Sequence, residues 1–315
     1  MEASAVAVVP AHVRSLRDAS SLARCVDALT REAAIRRVVV VDDASPVALP
    51  PFHRHVEVLA LARNGGPAAA RNRGIERALA LGAQAVLFTD HDCECTPGWA
   101  AALVAALAAG HVGASGVTRA LGRTLLDRYQ DFAGALNGRW ALPGHGSLQY
   151  GPTCNLAVRA DALAAVRFDE GFPSAAGEDV DFCLRLRRLG TIAFVPAAVV
   201  RHDFGYGSTL AGLPRFLGQA RRYASADALL QEKHPELRTA RSERCAVADF
   251  LAEETPLDPD AYRRASLSRL RPRRFVAPFF VLKHLSRAAF RRGKRVPVGG
   301  REPATGPVLP RSPAV

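Results

Sequence analysis

No stretch of this 315-residue chain approaches the roughly 18 continuous apolar residues needed to span a bilayer. The first residues also lack the basic region and cleavage site of a signal peptide, so the expected compartment is the cytoplasm. The chain has only six cysteines, Cys25, Cys93, Cys95, Cys154, Cys183 and Cys245. They are too few and too scattered for a disulfide framework, and no pair has the two-residue gap of a zinc knuckle; reduced thiols are expected. Cys93 and Cys95 bracket Glu94 beside an acidic motif, which makes a metal contact there the lesser alternative to ordinary buried thiols. Internal repeats, zinc-finger spacing and aromatic-basic RNA motifs are all missing, so nucleic acid is not expected as a partner.

What the chain has in excess is positive charge. Its net charge of +12 comes from Arg rather than Lys and is densest after Arg263, where basic residues flank the apolar run Phe275 to Leu282. A nucleotide-diphosphate ligand and an anionic membrane surface both answer such a charge; an Arg-rich solvated face is the plainer alternative. The segment Arg271 to Arg295 mixes aromatic and aliphatic residues with Arg and Lys. It therefore permits peripheral contact with the inner membrane face and presentation of a site to a lipid-linked acceptor, although Pro278 is expected to interrupt a clean amphipathic helix.

Apolar runs alternate with helical patterns along the first 120 residues. Residues Ala5 to Val9 suit a buried strand ended by Pro10, and Leu16, Leu22, Cys25, Val26 and Leu29 fall at helical spacing. Val38 to Val41 predicts a strand that stops at Asp42 and Asp43. Val56 to Leu61 predicts another, Pro67 to Leu81 a helix, Ala85 to Phe88 a strand running into Asp90-His91-Asp92, and Gly98 to Ala109 a helix. Strands alternating with helices at this spacing argue for an α/β fold with a mostly parallel sheet wrapped by helices. In such sheets ligands bind beyond the carboxyl ends of the strands, where Asp42, Asp43, Asp90 and Asp92 all fall. From Leu121 to Pro173 the pattern loosens around Trp140, His145, Tyr150 and Cys154-Asn155, where acceptor contacts are expected. A helix from about Glu178 to Leu189, short strands at Ile192 to Val195 and Val199 to His202, and an Arg-bearing helix near Pro214 to Leu230 follow. The end from Gly299 is rich in Pro and Gly and reads as disordered.

Thr89-Asp90-His91-Asp92 carries the clearest chemistry. Two carboxylates one residue apart at a strand end allow one to hold Mn²⁺ or Mg²⁺ while the other reaches a ribose; both cations share their shell with substrate phosphates. By itself an Asp-x-Asp is weak, because Asp suits turns. Asn64 to Gly74 couples a Gly-Gly-Pro turn to a helix start that carries Arg71, a fork suited to a base edge or a phosphate. Glu178 and Asp179 open a helix, where acids also serve as plain dipole complements.

Taken in order, Val6 to Pro10, Val39 to Ser45, Asn64 to Gly74, Thr89 to Asp92 and Gly177 to Phe182 closely resemble the family 2 glycosyltransferases with the GT-A fold, over roughly residues 5 to 225. The resemblance implies an inverting, divalent-metal-dependent transferase of hexosyltransferase type with a Rossmann-like sheet. It implies Asp179 as general base beside Glu178, and donor contacts from Pro10, Asp42, Asp43, Arg71, Asp90 and His91. It implies a metal held by Asp92 with His202, and a nucleotide-sugar donor, a UDP-sugar by expectation. The acceptor is a hydroxyl on a small molecule, glycan, peptide or lipid. Two departures stand out: Ala11 and His12 occupy the place of a base-stacking aromatic, and no Gln-x-x-Arg-Trp run of the processive synthases is present.

The organisation expected is a GT-A domain over residues 1–225, with a nucleotide-sugar half to about 118 and an acceptor half to 225. A basic helical extension over 226–298 and the tail 299–315 complete it. Two rivals remain at this point. A sugar-1-phosphate nucleotidyltransferase would want a glycine-rich loop after the first strand, which Pro10 to Leu16 does not offer; the other is a non-enzymatic basic adaptor for nucleic acid or membrane.

Overall fold

The apolar run after residue 4 needs cover on both sides, and in the computed structural model it has it: β1 (Ala5–Ala11) is buried at every position. A strand covered on both faces gains from a continuous apolar run rather than alternation. Val6 and Val8 meet Ile75 and Ala78 of α2 (Gly66–Ala80). Ala7 and Val9 face Leu22, Val26 and Leu29 of α1 (Leu16–Thr30) and Leu103 of α3 (Trp99–Ala108). The structure describes residues 4–137, 147–148, 150–172, 175–235 and 272–293; Trp140, His145 and the tail from Gly299 lie outside them.

The remaining strands are β2 (Ile35–Asp42), β3 (Val56–Ala60), β4 (Ala85–Phe88), β5 (Cys93–Cys95), β6 (Gly113–Ala120), β7 (Ser147–Leu148), β8 (Leu156–Arg159) and β9 (Ile192–His202). Their order is β3-β2-β1-β4-β8-β6-β9-β5, with β7 added on β9. The first four run parallel, β8 enters antiparallel between β4 and β6, and β9 lies parallel to β6. The result is an α/β fold with a mostly parallel sheet flanked by helices. Helices α4 (Leu125–Phe132), α5 (Ala160–Ala165), α6 (Glu178–Leu186), α7 (Thr209–Lys233) and α8 (Pro272–Gly293) complete the described elements. A separate cluster, with Tyr129, Phe216, Phe279 and Leu282, packs α4, α7 and α8 together. Among the described residues no helix is long and apolar enough to cross a membrane.

Four local expectations change. Pro10 does not end its strand: it sits within β1 opposite Val41, and the ladder to β4 has already ended at Val8 and Phe88, so the missing N–H deprives no partner on that side. The segment read as irregular contains α4, closed by a capping box between Thr124 and Asp127, and β8. Helix α8 continues through Pro278. The two short strands near the end are one, β9, which passes Pro196 where the register with β6 shifts between Ser115 and Val117.

Gly116 sits at that shift, where a Cβ would lie 1.8 Å from the carbonyl oxygen of Ala198. The obstacle is backbone, which cannot swing aside, so Gly116→Ala is expected to cost at least about 3 kcal/mol, the upper end of overpacking losses. A urea midpoint unchanged from wild type would contradict the close approach.

Candidate active site

Strand β4 ends at Phe88, and the next four residues cross the carboxyl edge of the sheet before β5 begins. Strand β5 pairs antiparallel with β9, Cys93 opposite His202, and the N–H of Asp203 donates to the carbonyl of Asp92 at 2.8 Å. This ladder brings together two residues far apart in sequence: Nε2 of His202 lies 3.6 Å from Oδ1 of Asp92. The His202 ring rests against Phe204, and Arg17 grips both carboxylate oxygens of Asp203 at 2.8 and 3.1 Å. Oδ1 of Asp92 and Nδ1 of His202 are buried and have no hydrogen-bond partner. Orphaned atoms of this kind carry a desolvation cost, and an oxygen with an imidazole nitrogen is a donor set suited to Mn²⁺ or Mg²⁺. The pair fits a divalent cation. Sγ of Cys93 belongs to the same group of potential ligand atoms, but burial and Cys154 push its thiol well up, and Cys95 is not part of the group.

Beside this pair lies a buried charge bridge. Arg71 of α2 is 3% exposed; its Nη2 donates to Oδ1 of Asp90 at 2.8 Å and its Nη1 to Oε1 of Glu178 at 2.9 Å. The guanidinium stands over the Phe168 ring, 5.6 Å from its centre. Burial opposes the Arg71 charge, but Asp90 and Glu178 outweigh it and raise its pKa. Asp90 is also opposed by burial, and Arg71, then His202, hold it below the ordinary carboxylate range. The sequence places Arg71 on a base edge or phosphate; the structure turns its fork onto two carboxylates instead, because a buried guanidinium needs them.

Glu178 and Asp179 open α6, whose preceding residue Gly177 adopts φ +87° with α7 packed against it. Oδ1 of Asp179 accepts from the N–H of Val180 at 2.8 Å. Burial and the neighbouring Glu178 charge push its pKa up to about 7, Arg71 offsetting them only in part. That is where a general base working near neutrality is best placed. Asp181 points elsewhere, as its helical position predicts: fully buried, it accepts from Arg185 and meets Lys233 and His234 at the end of α7.

At the ends of β1 and β2 the two adjacent acids separate in role. Both oxygens of Asp43 accept backbone N–H groups, from Gly65 at 2.6 Å and Gly66 at 2.9 Å, so this carboxylate caps α2 and is 4% exposed. Asp42 spends one oxygen on the N–H of Ser45 at 2.9 Å and stays partly exposed. Pro10 is buried, and His91 is partly exposed beside Asp90. His12 and Asn64 both meet the carbonyl of Asp43. Asn155, expected among the acceptor contacts, is instead locked inside the fold, and the structure adds Tyr223, which no sequence motif marked. Asn155, fully buried, accepts from the Trp99 indole at 2.8 Å and donates to the carbonyls of Val117 and Ala198. Tyr223 of α7, which is 40% exposed, accepts from Gln219 at 2.8 Å; desolvation of its hydroxyl and the Asp179 charge both raise its pKa.

Residues 6–169 match the family model described as glycosyl transferase family 2. The chain belongs to that family. The matched span carries Asp42, Arg71, Asp90 and Asp92, whereas Glu178, Asp179 and His202 lie beyond its end. The curated pre-mycofactocin glycosyltransferases of two Mycobacterium tuberculosis strains, CDC 1551 / Oshkosh and H37Rv, are each 32% identical over 217 residues, 64% of this chain and 43% of theirs. This chain thus spans less than half the length of those relatives. Among solved structures, a mannosyltransferase from Pyrobaculum calidifontis in complex with GDP-Man and Mn²⁺ aligns with a TM-score of 0.58 at 18% identity, covering 92% of this chain and 86% of that one. GalNAc-T7 with UDP, GalNAc and Mn²⁺ aligns with a TM-score of 0.50 at 15% identity, covering 83% and 56%. At these identities the likeness shows the fold, that of the GT-A glycosyltransferases.

Proposed function

We propose that this chain is a glycosyltransferase, rather than a nucleotidyltransferase or a non-enzymatic adaptor, and that it moves a sugar from a nucleotide-diphosphate donor, a UDP-sugar in the first instance, to an acceptor hydroxyl with inversion at the anomeric carbon. The observation that carries the reading is Asp179, with its pKa pushed up to about 7, next in the chain to Glu178, which Arg71 bridges to Asp90. Asp179 takes the proton from the acceptor oxygen as that oxygen attacks the sugar from the face opposite the diphosphate. Glu178 raises the basicity of Asp179 by its charge. Asp42, with a carboxylate oxygen left over, accepts from the base of the donor, and Asp90 faces its ribose. His91 and Pro10 would add further donor contacts.

Asp92 and His202 would hold Mn²⁺ or Mg²⁺, which supplies positive charge to the departing diphosphate. The Mn²⁺ in both solved relatives supports this donor set, and their UDP and GDP-Man define the nucleotides to try first. Residues up to about 118 form the donor half and 119–225 the acceptor half. The acceptor class is a hydroxyl compound; the names of the mycobacterial relatives make a precursor of the mycofactocin kind one candidate.

Thermal unfolding with UDP and with GDP, each with and without Mn²⁺, tests the donor site in the wild type and in Asp92→Ala. One nucleotide at 100 times its Kd is expected to raise the midpoint by about 4 °C, the equivalent of roughly 2.7 kcal/mol for a chain of this size. The rise should need Mn²⁺ and disappear in Asp92→Ala. A shift that survives without the metal, or in the variant, removes Asp92 from the metal role.

A further inference from the structure

The charge of this protein is not spread over it. Residues 263–295 hold twelve of its Lys and Arg and no Asp or Glu, so the 42 basic and 30 acidic residues balance elsewhere and the whole net charge of +12 resides in this segment. Within it, α8 turns Phe279, Leu282 and Ala289 onto the body of the protein. The opposite side is not the polar face that such a helix would show to water alone. Val281 and Leu285 are 54% and 40% exposed, and His284, Arg291 and Arg292 are exposed with them at the spacing of one helical face.

Helix α7 extends the same character. Leu210, 85% exposed, begins a row with Leu213, Pro214 and Leu217 that lines a groove of about 370 Å³ ending at Arg221. Leu213 and Leu217 pack against the cluster that contains Phe279 and Leu282 of α8, so the two helices adjoin along their inner sides. Leu210 follows His202 by only eight residues, which ties this surface to the rim of the active site.

We propose that the outer faces of α7 and α8 dock on an anionic bilayer, so that the enzyme glycosylates acceptors held at a membrane surface. The second half rests on the glycosyltransferase reading; the docking does not. Exposed aliphatic side chains among purely basic ones are what an interfacial helix needs: the apolar groups enter the headgroup boundary, and each Arg or Lys adds about 1 kcal/mol near an anionic surface. A second copy of the chain is a poor occupant, because it would set one cationic segment without an acidic residue against another. Unlike the simple sequence expectation for Arg271 to Arg295, the surface includes α7 and adjoins the crevice.

Flotation of the full chain with vesicles decides it. Vesicles of phosphatidylcholine with about a third phosphatidylglycerol are expected to bind at least ten times more protein than phosphatidylcholine alone, and 0.5 M NaCl to cut that binding about tenfold, following the screening of surface charge. Val281→Glu with Leu285→Glu, both on the exposed face, should reduce binding at least tenfold while leaving the unfolding midpoint unchanged. Absence of binding, equal binding to neutral vesicles, or undiminished binding by the double variant would overturn the proposal. Tight binding to a single-stranded oligonucleotide with none to anionic vesicles would overturn it in favour of a nucleic-acid partner. Stabilisation by UDP or GDP with Mn²⁺ in the same preparation reports on the transferase reading separately, so either can fail alone.

Discussion

With Asp179 replaced by asparagine, sugar transfer is expected to fall about 10²–10⁴-fold, the range a general base contributes, while the protein becomes more stable at pH 8. Both follow from one fact, a carboxyl whose pKa in the folded protein is pushed up to about 7 by burial and by Glu178. In the unfolded chain the same group titrates near 3.9. The folded state therefore holds the proton more tightly, and the stability so gained is present at low pH and is lost as pH rises from about 4 to about 7. Above that window the cost of the charge is constant. A shift of about three units corresponds to roughly 4 kcal/mol at 1.36 kcal/mol per unit, and partial exposure of the side chain reduces this to about 2 kcal/mol. Asparagine keeps the shape and removes the charge, so its unfolding midpoint should exceed that of the wild type at pH 8 and match it at pH 4. Wild-type kcat/KM should rise about tenfold per pH unit below pH 7 and then level off. An Asp179→Asn variant equally stabilised at pH 4 and pH 8 would mean that packing, not charge, sets the difference, and would take the strained base out of the mechanism.

The motifs that make this site legible are those where local sequence already fixes chemistry and position together. Asp90 and Asp92 follow an apolar strand directly, and the sheet can place a strand end only at its carboxyl edge. Asp179 opens a helix whose apolar spacing is plain in Phe182, Cys183 and Leu186, all fully buried. His202 is placed by resemblance, and the β5 and β9 ladder explains its reach. What stays hidden depends on contacts between distant segments. Neighbouring Asp42 and Asp43 look equivalent in sequence, yet only Asp43 meets the unsatisfied N–H groups at the start of α2, twenty-two residues on. Strand β8 has no periodicity that separates it from a buried helix segment; its place between β4 and β6 comes from pairing on both edges. Asn155 reads in the sequence as an acceptor contact, and its structural role stays hidden because its partners Trp99, Val117 and Ala198 are scattered along the chain.

Arg71 is the residue whose role changes most, and its removal should have the largest effect on the fold. Arg71→Met is expected to cost about 3–5 kcal/mol, because it leaves Glu178 buried and Asp90 partly buried without their cation, and breaking a buried pair exposes the uncompensated charge rather than the worth of the bond. The second oxygen of Glu178 already lacks a partner, so the carboxylate has nothing to fall back on. Arg71→Lys is not a conservative repair: a single ammonium cannot span Asp90 and Glu178 as the two Nη atoms do, and a loss of about half that size is expected. Adding Glu178→Gln to Arg71→Met removes one of the stranded charges and should recover part of the stability, a non-additivity that separates a charge bridge from a mere packing loss. The same logic reaches the chemistry. Arg71 pulls the Asp179 pKa down against Glu178, so in Arg71→Lys, with the cation displaced from its fork, the midpoint of the pH–activity profile should move above 7. Urea unfolding of the four proteins, followed by pH profiles of those that fold, tests both halves; an Arg71→Met midpoint equal to wild type would show that Asp90 and Glu178 do not depend on the guanidinium.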